Sequence, residues 1–290
     1  MSDSRWVIDA HLHLFKKASQ EYPRDCGSFY PSEREALVED YLEVMVANNV
    51  KHAVIVPLGI EIKYLTEILN TYPEKFAGVA VLDYESLDPC KDVRQWKHEI
   101  GISGVRVMGN LGDPSVNRFQ DLVLAKLLRE MESLNLILWF YGSLDQLKLI
   151  HLVAKELPNL TIVLNHLGFC QQGFSVDNFR RPHIEIKLPP PSVLIVEALA
   201  EFKNVFVKFS GEYGFSHEDF PYLDVAPIAQ RVLKVFGPKR LLWASDWPWI
   251  EVNPSYSSLI SLTEVYFNSI SAQDCQDIMG GNAKKLFGFK

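Results

Sequence analysis

The chain has 290 residues, of which 48% are hydrophobic, 12% aromatic and 22% charged, with a formal net charge of -7. This balance suits a globular protein with a large core and excludes a disordered chain; the absence of Lys/Arg runs excludes nonspecific nucleic-acid binding, which works by neutralising phosphates. No apolar stretch is long enough to span a bilayer and MSDSRWVIDAHLH lacks the apolar centre of a secretory signal, so no membrane partner and a cytoplasmic setting are expected.

Along the chain, apolar and β-branched runs recur at 6–14, 52–57, 76–82, 104–108, 136–141, 160–166, 205–210 and 241–246. Bounded by turn residues, they read as eight strands buried on both faces of a parallel sheet. Helical periodicity fills the gaps at 34–47, 61–72, 119–134, 144–156, 192–202 and 224–236. The alternation predicts an α/β fold, either a closed barrel or a doubly wound sheet. A doubly wound sheet usually places a glycine-rich phosphate loop after its first strand, where this chain has HLHLFKK. A slightly distorted (β/α)8 TIM barrel is therefore expected, with an extra closing helix within 272–290. No linker or repeat divides 1–290, and barrels of about 250 residues fold as one domain.

Two loops exceed what a barrel needs, 16–32 after the first strand and 168–191 after the sixth. Both fall on the face where loops after strands carry function, so both are candidate lids, with simple capping of the barrel an equal alternative. Cys26, Cys90, Cys170 and Cys275 form no metal or disulfide pattern; Cys170, close to a candidate catalytic residue, reads as a partly buried thiol.

Candidate chemistry sits at strand ends. His11 and His13 lie two apart and so face one side of the first strand, taken as the lumen. Asp9 is expected to share that side, with Ile8, Ala10 and Leu12 toward the helices. The sixth strand ends in His166 and the eighth in Asp246. Any one of the four could be incidental, but four polar residues capping apolar barrel strands mark a catalytic face. Arg106 and Lys208 are expected to project inward as anion binders, or to be neutralised, Arg106 by Asp83 or Asp9 and Lys208 by Glu212. Tyr141 could hydrogen-bond substrate or simply pack. His52, His98, His151 and His217 read as surface residues, and His183 with Arg180 and Arg181 as a solvated loop cluster.

IDAHLHLF, GVRVM, VLNHLG, VKFSG, LLWASDWPW and GGNAKKLF resemble successive signatures of the amidohydrolase-related family, in particular its lactonase branch of pyrone-dicarboxylate and sugar-acid lactonases. The resemblance covers nearly the whole chain. It implies a TIM barrel, hydrolysis of a cyclic ester, and His11, His13, His166 and Asp246 as the central site, while Arg106 points to an anionic, carboxylated small-molecule substrate. Many metal-dependent members place a Lys or Glu at the end of the fourth strand and a His at the end of the fifth; here stand Arg106, then Trp139 and Tyr141. A binuclear centre is thus not expected. The cofactor is either none or one divalent metal, zinc foremost, on His11, His13 and Asp246. The expected mechanism has Asp246 activating water while the histidines polarise the carbonyl. The competing readings are a zinc-dependent decarboxylase of the same superfamily, which would use a fifth-strand His, and a barrel that binds a small molecule without turnover.

Overall fold

The computed structural model describes residues 6–170, 173–250 and 253–290. Strands β1 (Val7–Leu12), β2 (Val50–Ile55), β3 (Phe76–Val81), β4 (Gly104–Val107), β5 (Ile137–Phe140) and β6 (Ile162–Leu164) follow in order. The hairpin strands β7 (Ser175–Val176) and β8 (Pro182–His183) come next, then β9 (Val205–Phe209) and β10 (Leu241–Trp243). All but the hairpin form one parallel eight-stranded sheet, β1-β2-β3-β4-β5-β6-β9-β10. A bridge between Leu12 and Trp247, backed by Asp246 N–H to His11 O at 3.0 Å and His13 N–H to Trp247 O at 2.8 Å, joins the two ends. The expected TIM barrel is present, and its closing seam carries three of the four candidate residues.

The helices are α1 (Val38–Ala47), α2 (Lys63–Thr71), α3 (Pro89–Gln95), α4 (Ala125–Ser133), α5 (Leu144–Glu156), α6 (Ser192–Leu199), α7 (Glu212–Phe215), α8 (Ala226–Phe236), α9 (Tyr256–Tyr266), α10 (Ala272–Gln276) and α11 (Asn282–Phe287). Their starts follow local chemistry: the Ser143, Ser255 and Ser271 hydroxyls accept from backbone N–H groups in the first turns of α5, α9 and α10, replacing bonds those turns lack. In α2, Tyr64, Leu65, Ile68 and Leu69 fall on one buried stripe, the spacing of a helix laid on a sheet. The expected C-terminal closure takes a definite form. Ala283 enters the inner core, with Phe287 edge-on to Trp139 at 5.9 Å, so α11 plugs the barrel end opposite the candidate site.

One orientation differs from the sequence expectation. Ile8 and Ala10 pack in the inner cluster with Val54, Val79 and Trp139, while Asp9 points outward to Tyr41 of α1 and Tyr256 of α9. His11 nevertheless faces inward. The cause is a β-bulge: Asp9 pairs with Ala53 and Leu12 with Ile55, so two residues of β1 stand opposite one of β2 and the alternation is reset. Leu12 joins the outer core as expected. No helix among the described residues is long and apolar enough to cross a membrane.

Candidate active site

At the C-terminal ends of the strands lies a cavity of about 240 Å³ lined by His13, Arg106, Tyr141, His166, Tyr213 and Asp246, together with aromatic and aliphatic side chains. Both long loops reach it. Phe29 and Tyr30 come from 16–32, and Phe174, Pro182 and Ile184 from 168–191, so the two loops form its walls; Gln171 and Gln172 lie outside the described residues. His166 and Asp246 both hold left-handed backbone, with φ of 48° and 61°. Such a conformation costs non-glycine residues about 1–3 kcal/mol each, and it turns both side chains off their strands and into the cavity.

The hydrogen bonds assign the tautomers. Trp139 Nε1–H, which can only donate, lies 3.0 Å from His11 Nδ1, so that nitrogen carries the lone pair and Nε2 the proton. The Lys208 Nζ meets the same nitrogen and lies 4.4 Å over the Trp139 ring. His13 is the opposite case. Its Nδ1–H donates to the Val56 carbonyl at 2.7 Å, which turns Nε2 toward the site. His11 Nε2 and His13 Nε2 are 3.3 Å apart, and Asp246 Oδ1 lies 3.4 Å and 3.3 Å from them. The other Asp246 oxygen, Oδ2, accepts from Tyr213 OH at 2.6 Å. His166 Nδ1 is 3.0 Å from Ser210 Oγ, and Gly211 packs so closely that a Cβ there would lie 2.6 Å from that nitrogen.

Electrostatics follow from burial and neighbours. Burial pushes the Asp246 carboxyl up, but His166, His13 and the Tyr213 hydroxyl together outweigh it and hold the group well below the usual carboxylate range. Burial pushes the His166 ring down to about 3 despite the pull of Asp246, so it is neutral at neutral pH. Burial, then the neighbouring Lys208 charge, drives His11 down as well. Arg106 is buried; its Nε has no hydrogen-bond partner, and its guanidinium lies 5.8 Å from the Tyr141 ring.

Several expectations are relocated by this geometry. Arg106 pairs with neither Asp83 nor Asp9; Asp246 supplies its opposing charge. Lys208 pairs with no Glu212 and does not line the cavity: fully buried behind His11, it meets that ring instead of a bound anion. Glu212 is buried with Oε1 unpartnered, and burial raises its carboxyl to about 8. His11 also lies beneath the cavity floor. Arg181 is buried and not solvated: its Nε bonds Asp177 at 2.6 Å and its guanidinium reaches the Asn253 carbonyl. Cys170 is a buried thiol pushed up to about 11 by burial, as expected of an inert one.

Tyr213 and Ser210 are site residues that the sequence reading did not single out. The signal was local: SGEY follows the seventh barrel strand directly, where side chains turn onto the catalytic face.

His11, His13 and Asp246 have the spacing of a metal site, with ligand atoms within 4.8 Å of one another. The donor chemistry does not fit. A ligating imidazole needs a bare nitrogen toward the ion and normally donates its other N–H to an acceptor, whereas the indole at the fifth-strand position forces His11 to present N–H. Purified protein should accordingly carry far less than one zinc per chain by elemental analysis, with turnover indifferent to chelator. Stoichiometric zinc whose removal abolishes turnover would refute this assignment.

Compared with known proteins, the sequence matches the family described as amidohydrolase over residues 8–289. It is 26% identical over 250 residues to L-fucono-1,5-lactonase of Burkholderia ambifaria, covering 83% of this chain and 80% of that protein. It is 22% identical to 4-sulfomuconolactone hydrolase of Hydrogenophaga intermedia, over 97% and 88% of the two chains. A Pseudomonas putida structure named for 2-pyrone-4,6-dicarboxylic acid hydrolysis superposes with a TM-score of 0.74 at 25% identity, covering 99% of this chain and 98% of that one.

Proposed function

The chain belongs to the amidohydrolase family, and from that membership we propose that it hydrolyses a lactone bearing a carboxylate. The observation that carries the reading is the state of Asp246: Oδ2 is fixed by Tyr213, while Oδ1 is buried in the cavity wall with no aligned hydrogen-bond partner. A buried, ionised oxygen that no aligned protein donor has claimed is suited to take the proton of an attacking water. Relatives named for opening fuconolactone and sulfomuconolactone support an ester as the target.

In this scheme the water oxygen bonds to the lactone carbonyl carbon as its proton passes to Asp246 Oδ1, beside Nε2 of His13. In the His166 tautomer that this scheme takes, Ser210 donates to Nδ1, so that an Nε2–H faces the cavity. That donor stabilises the oxyanion, and such a group contributes about 3 kcal/mol. His11, held by Trp139 and Lys208, sets the position of His13 and Asp246 from below. Collapse of the intermediate breaks the ring C–O bond, the alkoxide takes the proton from Asp246, and the new carboxylic acid releases one proton to solvent. No covalent nucleophile is required. A decarboxylase reading is disfavoured because Trp139 stands where a fifth-strand His would be. The free thiols of Cys26, Cys90 and Cys170, the last two buried, support a reducing, cytoplasmic setting.

Proton release on a panel of lactones tests the reaction, and Arg106→Met tests the carboxylate. Removing a charge-assisted hydrogen bond should raise KM for carboxylated lactones about 10- to 100-fold and leave neutral lactones nearly unaffected. An equal change for both would remove Arg106 from substrate binding.

A further inference from the structure

Resting on the lactone reading, we infer that the substrate carries a single carboxylate and an apolar, preferably aromatic, substituent, and is neither a polyhydroxy sugar lactone nor a dicarboxylate. Three features of the cavity lead there. Among its described lining residues Arg106 is the only Lys or Arg, while Asp246 places a negative charge in the same wall. One anion has a partner; a second would face Asp246.

The described lining also contains no Ser, Thr, Asn, Gln or Glu side chain, and of its three tyrosines Tyr213 already spends its hydroxyl on Asp246. A sugar lactone carries a hydroxyl on most ring carbons. Each one pressed against an apolar wall without a partner weakens binding by about tenfold or more.

The third feature is the mouth. Phe29 lies 5.4 Å edge-on from Trp249 and 6.0 Å from Phe174, and Phe215 continues the lining. Phe174 is 46% exposed, an aromatic ring left partly in water at the rim of an aromatic-lined cavity. An aryl or alkyl group extending from the lactone ring would cover it and gain the apolar burial that the wall offers.

The experiment compares four probes: dihydrocoumarin bearing one carboxylate, unsubstituted dihydrocoumarin, D-glucono-1,5-lactone and 2-pyrone-4,6-dicarboxylate. Turnover is followed by proton release with the wild-type protein, and binding by calorimetry of the same protein with the lactam analogues of the four probes, which leaves the Asp246 charge in place. The carboxylated dihydrocoumarin should exceed each of the others by at least about tenfold in kcat/KM and in affinity. The binding arm separates the two claims. Tight, selective binding of the aryl monocarboxylate without turnover by the wild type would uphold the pocket's preference and refute the lactonase reading. Turnover with gluconolactone or the dicarboxylate preferred would uphold that reading and overturn this inference; equal binding of all four probes, or binding of none, would also overturn this inference.

Discussion

Asp246→Asn is expected to lower kcat for lactone opening by about a thousandfold, while KM changes little and the protein stays folded. General-base catalysis by a positioned carboxylate commonly contributes about 10²–10⁴-fold, and an amide cannot accept the proton. The fold should tolerate the change because asparagine keeps the shape of the side chain and its oxygen can still accept from Tyr213. The same group sets the acid side of the pH profile. The active form is the carboxylate, and because its folded pKa is depressed by His166, His13 and Tyr213, it stays ionised as pH falls through the ordinary carboxylate range. Wild-type kcat/KM should therefore remain flat down to about pH 4, the unperturbed value for Asp. Stopped pH-indicator assays of both proteins check the two statements together. Turnover by Asp246→Asn within tenfold of wild type would end the assignment, and an acid limb near pH 6 would show that a histidine, not Asp246, is the titrating base.

Those parts of the fold that depend on local pattern are legible in the sequence. Continuous apolar runs gave all eight barrel strands, because a strand buried on both faces has no polar side to disguise it. His166 and Asp246 stood out because a polar group at the end of such a run has to be turned toward something polar. The β1 bulge was not legible, since it exists only relative to β2: nothing in VIDAHL says that Ala10 and His11 will both face inward. Trp139 shows a different limit. In sequence it is merely a missing ligand, whereas in space its N–H chooses the tautomer of a residue 128 positions away. Lys208 was correctly expected to be inside, but its partner depends on which ring β1 delivers to the lumen, and the bulge decides that.

The bulge also turns Asp9 into the buried anchor of the closing seam, and its removal should have the largest effect on stability. Asp9 Oδ1 accepts from the His11 N–H at 3.2 Å and the Ser245 N–H at 2.9 Å; Oδ2 accepts from Tyr41 OH at 2.9 Å, Tyr256 OH at 2.8 Å and the Ser245 hydroxyl. Burial raises its carboxyl above the usual value, with Ser245, Tyr256 and His11 opposing. Asp9→Ala would strand two buried N–H groups and leave the Ser245 hydroxyl and one hydroxyl of the mutually bonded Tyr41–Tyr256 pair without an acceptor. At about 1–3 kcal/mol for each unsatisfied group the loss is on the order of 5 kcal/mol, comparable with the whole stability of many domains, so this variant should be largely unfolded. Asp9→Asn should behave differently. Its oxygen can keep both N–H bonds while its NH2 donates to hydroxyls that are able to accept, so about 1–2 kcal/mol is lost and Tm falls by several degrees. Because the bonds retained hold His11 and Ser245 at the seam, and Ser245 precedes Asp246, a residual shift should appear in kcat and leave KM nearly unchanged. Thermal unfolding of both variants with steady-state kinetics on Asp9→Asn provides the check. An alanine variant melting within two or three degrees of wild type would show that the seam does not depend on Asp9, and a change confined to KM would place the residue's influence on binding and not on the alignment of Asp246.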